Sequence, residues 1–179
     1  ARARRERGRG VIRLERLGPA HREEILAGQD ESLAREIIGR RWEREQLEEF
    51  LGRCASWRKD GPVQELAAFE GDAGRMVGGG GVNRLAPGLA RDQVALTYWL
   101  LERARGRGFG IPLASAVVER ARSVTGAREA VLLISPDNTA SQSVARALGA
   151  RPTGEQVRHP ADGTRQAERW LLDLQRSVP

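Results

Sequence analysis

Apolar residues change their spacing several times along the chain, and each change marks an element. Val11, Ile12, Leu14 and Leu17 stand between Arg13, Glu15 and Arg16, the alternation of a short strand that Gly18-Pro19 ends. A short helix follows from Ala20 to about Gly28. A longer one runs from about Arg41 to Trp57, where Trp42, Leu47, Phe50, Leu51 and Cys54 recur near helical spacing. Val63–Glu70 and Arg75–Leu85 then read as two strands joined by the hairpin turn Gly71-Asp72-Ala73-Gly74. Four glycines, Gly78 to Gly81, lie inside the second strand. Glycine weakens a strand unless backbone or ligand must come close, so the run predicts a bulge or kink, with a ligand-facing surface as the alternative.

Gln93–Leu101 is an apolar strand of central-sheet character. After it come a loop over Arg103–Gly110, a helix from about Ile111 to Ser123, and the apolar strand Glu129–Ser135. Strand, loop, helix and strand in this order call for parallel neighbours and a right-handed crossover. Ser135-Pro136-Asp137-Asn138 starts a further helix with Ala140, Val144, Ala147 and Leu148 on one side, and Gly149 stops it. Glu155–Arg158 and Glu168–Leu174 form an antiparallel pair around Asp162-Gly163. The expected fold is α+β: a mixed, mostly antiparallel sheet with a central parallel βαβ unit and flanking helices.

Length and composition narrow this reading. The chain has 179 residues, enough for one compact domain, placed at residues 11–179. Residues 1–10 (ARARRERGRG) have no apolar face and read as a basic, flexible arm. Aromatic residues make up only 4%, so the core rests on Leu, Val, Ile and Ala. The formal charge of +6 is carried by arginine, Lys59 being the one lysine, and it favours anionic ligands. Cys54 is the one cysteine, which excludes an internal disulfide and argues against a cysteine-based metal site; no metal is expected. No stretch nears the roughly 20 apolar residues of a membrane helix, and the basic start has no apolar run behind it. The expectation is a cytoplasmic protein without a membrane partner.

The segment that carries chemistry is Arg105-Gly106-Arg107-Gly108-Phe109-Gly110, between a strand and a helix. The first N–H groups of a helix lack intrahelical partners, and the helix dipole favours negative charge there. Glycines let the main chain curl around a phosphate, while Arg105 and Arg107 can add charge-assisted hydrogen bonds. Together these describe a pyrophosphate cradle. It is not a nucleotide-hydrolysing P-loop, which needs Gly-Lys-Ser/Thr, and it misses the dinucleotide fingerprint GxGxxG, since Ile111 and Leu113 occupy the final positions.

Tyr98-Trp99-Leu100, the loop at Arg105–Gly110, Pro136-Asp137-Asn138-Thr139-Ala140-Ser141 and Leu148-Gly149 occur in an order that resembles the GCN5-related N-acetyltransferases (GNAT), above all the branch of ribosomal-protein N-terminal acetyltransferases. The loop fits that family's R/Q-x-x-G-x-G/A pattern, with Arg105, Gly108 and Gly110 at the defining positions. The resemblance implies a GNAT fold and an enzyme that transfers acetyl from acetyl-CoA to an amine by direct attack on the thioester. It implies that Arg105, Gly106, Arg107, Gly108, Phe109 and Gly110 hold the pyrophosphate. It further implies that the pantetheine arm lies where the strand ending at Leu100-Leu101 splays from the next parallel strand, that an N–H near Leu100 stabilises the oxyanion, and that Asn138 and Ser141 face the cofactor.

Many members of this family protonate the thiolate with a tyrosine seven residues after the Asn138 position, which here is Ala145. Ser141 is the first candidate for that role and Tyr98, the one tyrosine, the second. Glu43, Asp92 and Glu102 are candidate bases, Trp42 and Trp57 candidates for the acceptor side, and His21 and His159 are expected at the surface. The acceptor is a protein N-terminus or a small-molecule amine, with polycations disfavoured by the basic balance. A homodimer is left open, and nucleic acid is expected only through the arm, if at all. Ala145 also motivates an alternative, a non-catalytic acyl-CoA sensor.

Overall fold

The computed structural model describes residues 11–37, 39–72 and 74–176; the basic arm lies outside the described residues. The elements in chain order are β1 (Ile12–Arg16), a 3-10 turn (Pro19–His21), α1 (Arg22–Gly28), α2 (Glu31–Ile37), α3 (Arg44–Ser56), β2 (Val63–Glu70) and β3 (Met76–Asn83). They continue with β4 (Gln93–Leu100), a second 3-10 turn (Glu102–Ala104), α4 (Gly110–Thr125), β5 (Glu129–Ile134), α5 (Thr139–Ala147), β6 (Arg151–Arg158) and β7 (Gln166–Asp173). Seven strands form one sheet in the order β1-β2-β3-β4-β5-β7-β6. Among the described residues β4 and β5 are the parallel neighbours, with α4 as their crossover, and the other pairs are antiparallel.

Two apolar cores flank the sheet. On one face Leu113, Val117, Val118 and Ala121 of α4 pack on Val82, Val94 and Leu132. On the other, Ile25, Leu33, Leu47, Leu51 and Cys54 from α1, α2 and α3 pack on Leu17, Ala67, Met76 and Leu101. Leu47 and Leu51 are fully buried, each contributing about 1.5–3 kcal/mol. His21 lies under this second layer rather than at the surface. Its Nδ1 accepts the Gly18 N–H at 3.0 Å, so its Nε2–H donates to Glu15 at 2.8 Å.

Two elements depart from the sequence pattern. Helix α2 was not expected, although Asp30 caps it, accepting the Leu33 N–H at 2.9 Å, and Leu33, Ala34 and Ile37 share a helical stripe. Strand β6 begins at Arg151, four residues early, because it is an edge strand. Pro152 and Gly154 are tolerated there through a register shift between Pro152 and Gln156.

The glycine run also goes further than a kink. A register shift does sit beside it, opposite Ala68 and Phe69. The glycines themselves are cleared for neighbours on both faces. A Cβ at Gly80 would lie 2.6 Å from Val117, so α4 rests directly on β3. On the opposite face a Cβ at Gly79 would lie 2.4 Å from the Trp99 ring, and one at Gly81 2.8 Å from a Glu65 oxygen.

Candidate active site

Strands β4 and β5 run together for three positions, Gln93–Glu129, Val94–Ala130 and Ala95–Val131, and then separate. Beyond Ala95 the β5-facing edge of β4 is open. Leu101 N–H donates to Val77 O at 2.9 Å, so antiparallel alternation turns the amides of Tyr98 and Leu100 toward the opening. Leu101, one of the expected cofactor contacts, therefore faces away: it is fully buried and its amide belongs to β3.

The loop Arg105–Gly110 closes one end of the opening. Gly106 and Gly108 adopt φ of 69° and 84°, and no atom lies within 4 Å of where their Cβ would stand. Their left-handed backbone turns the loop while leaving its outer surface free for a ligand. Helix α4 starts at Gly110 without a side-chain cap, so its leading N–H groups face the same space. The Phe109 side chain is buried in the core, and Arg107 is exposed, its guanidinium 5.6 Å from the Phe109 ring.

Arg105 behaves differently from the expectation of a phosphate-binding side chain. Its guanidinium holds Asp30 by two bonds of 2.5 and 2.7 Å and also donates to Leu100 O at 3.2 Å. Arg105 thus ties the loop to the cap of α2, and it occupies the Leu100 carbonyl while leaving that residue's N–H toward the opening. The Arg105 hydrogen bonds hold the Asp30 carboxyl below its usual range. The increment is therefore present above the unfolded value of 3.8 and is lost as pH falls through the depressed folded value. Asp30→Ala removes both the cap and the tie. The expected loss is about 1–2 kcal/mol at pH 7, read as a lower Tm, and wild type and variant converge in acid.

The two candidate proton donors meet. Tyr98 Oη lies 3.0 Å from Ser141 Oγ and 3.1 Å from Ser141 O. Burial raises the Tyr98 pKa, so the phenol keeps its proton. Asn138 is the cap of α5, its Oδ1 accepting the Ser141 N–H at 3.1 Å, which fixes Ser141 in the first turn. Ala145 is fully buried in the core, away from the opening. Tyr98, Leu100, Gly106, Gly108, Gly110, Asn138 and Ser141 line one cleft of about 320 Å³.

A family model, the acetyltransferase (GNAT) domain, matches residues 12–151, from β1 to the first residue of β6. The chain belongs to the GNAT family. A search of curated protein sequences matches none. Among solved structures the acetyltransferase is similar to a spermidine N-acetyltransferase from Vibrio cholerae in complex with CoA and spermine, with a TM-score of 0.74 at 11% identity over 92% of this chain and 96% of that one. It is similar to a ribosomal-protein-S5-alanine acetyltransferase from Vibrio fischeri, with a TM-score of 0.75 at 12% identity, covering 94% and 96%. It is also similar to a ribosomal L7/L12 α-N-protein acetyltransferase in complex with coenzyme A, with a TM-score of 0.73 at 15% identity, covering 93% and 96%. At these identities the likeness concerns the fold.

A second cavity of the acetyltransferase, about 250 Å³, adjoins the first across Leu33, Glu36, Ile37 and Trp99. Trp42 lines it, whereas Trp57 lines a separate groove near β1. Glu43, Asp92 and Glu102 are exposed and line neither cavity. The carboxylate that does is Glu65, on β2, which the sequence reading passed over. Its carboxyl reaches across β3 above Gly81, where it converges with the Thr97 hydroxyl of β4; a Cβ at Gly81 would touch both, at 2.8 and 2.9 Å. Among the described residues it makes no hydrogen bond or ion pair, and desolvation pushes its pKa up to about 7.

Glu36, the other carboxylate here, is committed. Arg165 donates to it at 2.8 Å, and His159 Nε2 lies 3.1 Å away while its Nδ1 accepts the Ala161 N–H. His159 is therefore buried rather than superficial, and it pins α2 to the β6–β7 turn.

Proposed function

We propose that this acetyltransferase moves an acetyl group from acetyl-CoA to a primary amine by direct attack on the thioester, in the cytoplasm. The observation that carries the reading is the pair of adjoining cavities, one bordered by an open strand edge and a glycine loop, the other holding an unpartnered carboxylate. When bound, acetyl-CoA supplies the activated acyl group. The amides of Gly106 and Gly108 and the start of α4 would hold its pyrophosphate, with Arg107 alongside. Their positive φ and open outer surface fit a phosphate cradle.

The Leu100 N–H faces the opening and would stabilise negative charge developing on the carbonyl oxygen. Glu65 takes one proton from the substrate ammonium and passes it to water, leaving a neutral nitrogen lone pair. As the C–N bond forms and the C–S bond breaks, Ser141, supported by Tyr98, gives a proton to the departing sulfur. Ser141 is restored by the proton that the new amide nitrogen sheds. The net products are an acetamide, a free thiol and one proton. The complexes of similar folds with CoA, and with CoA and spermine, support the donor and the amine class.

Amine-dependent thiol release from acetyl-CoA tests the reading. Ser141→Ala is expected to lower kcat about 100-fold with the KM for acetyl-CoA unchanged. Tyr98→Phe, acting through Ser141, is expected to have a smaller effect. Tight acetyl-CoA binding with no amine-dependent release would replace transfer by sensing.

A further inference from the structure

The second cavity is specific about what it can accept. Trp42, Phe50 and Trp99 line it, although aromatic residues are only 4% of the chain. Trp42 and Phe50 stack, their ring centroids 5.0 Å apart at 22°, so the two rings form one aromatic block on this side of the cavity. Leu17, Ile25 and Leu47 complete a largely apolar lining around a volume of about eight waters. Into this enclosure projects a single carboxylate without a partner, because Glu36 is consumed by Arg165 and His159. A cavity with one free anionic group and mostly apolar walls offers one ion pair, so every further charge on a ligand would be desolvated without a countercharge. An extended polyamine carries several such charges. A peptide N-terminus brings a run of backbone amide groups, and beyond Glu65 the polar lining is Thr97 together with Gln29 and Glu36, whose side chains are already bonded to Trp42 and to Arg165 and His159.

Resting on the transferase reading above, we propose that the acceptor is a compact monoamine with an apolar, ring-bearing body. Its amino group sits at Glu65 beside Thr97, and its body lies against the Trp42–Phe50 wall. Trp99 lines both this cavity and the cleft, so a ligand held here lies next to the acyl donor's cleft.

The test compares phenethylamine and tryptamine with spermidine and with a tripeptide bearing a free N-terminus, by thiol release from acetyl-CoA. The expected kcat/KM for the ring-bearing monoamines exceeds that for spermidine and the tripeptide by at least 100-fold. Trp42→Leu keeps the wall apolar but removes its flat ring. It should raise the KM for phenethylamine at least tenfold while leaving the Kd for acetyl-CoA within twofold, and Phe50→Leu gives an independent second reading. Equal or better turnover of spermidine or the tripeptide overturns the acceptor assignment and leaves acetyl transfer standing. Acetyl-CoA binding with no turnover of any of the four overturns both. A Trp42→Leu variant that folds, binds acetyl-CoA and keeps its phenethylamine KM removes the proposed wall contact.

Discussion

Gly108→Asp is expected to weaken acetyl-CoA binding at least 100-fold by calorimetry, with the fold retained. Two effects act at this position. The backbone sits at φ 84°, where an L side chain costs about 1–2 kcal/mol and where Asn and Asp are the best tolerated. No atom stands within 4 Å of the new Cβ, so the side chain meets no protein and enters the space assigned to the pyrophosphate. There its charge opposes the phosphates; at about 4 Å and an effective dielectric of about 20, one such pair amounts to about 4 kcal/mol before screening. Gly108→Asn separates the two, since it has the same shape and backbone demand without the charge. A loss in the Asp variant that greatly exceeds that in Asn places the pyrophosphate at this loop. Equal affinities for both variants would mean that the phosphates bind elsewhere.

Glu65→Gln is expected to lower kcat/KM about 100-fold or more at pH 7–8 while making the protein more stable. The base works when ionised, so wild-type activity should rise with pH through an acid limb near 7, the value to which burial pushes this carboxyl. Gln cannot titrate, and the limb should vanish. Stability runs the other way. The folded state keeps the Glu65 proton up to about 7, whereas the unfolded chain loses it near 4.5, so wild-type stability declines as pH rises between these values. The half-buried position tempers the desolvation, leaving a destabilisation on the order of 1–2 kcal/mol at pH 8. The variant should therefore melt about 3–6 °C higher at pH 8 and much like wild type at pH 5. A variant that loses stability at pH 8, or keeps the acid limb, would make Glu65 a structural residue instead.

The elements that the periodicity marked strongly are the ones the structure contains. Strand β2 occupies Val63–Glu70 as expected, α4 and α5 follow their apolar stripes, and the parallel pair β4–β5 follows from the strand–helix–strand order. The glycine loop and the Asn138–Ser141 turn were legible for the same reason: local backbone demands are written in contiguous residues. Helix α2 was not read from the sequence, because a single two-turn helix carries a weak period, although its Asp30 cap and short stripe are present.

What the sequence alone determined is the local backbone of the proposed donor side, because a glycine loop and a helix start are built from neighbours in the chain. The proposed acceptor side was decided by tertiary structure. Glu65 reads as an ordinary polar position of an alternating strand until Gly81 of β3 and Thr97 of β4 are laid beside it, and its raised pKa comes from that enclosure. Arg105 reads as a phosphate ligand until Asp30, 75 residues away, takes its guanidinium. Burial and ion pairing depend on which distant residues share a face, and no spacing along the chain records that.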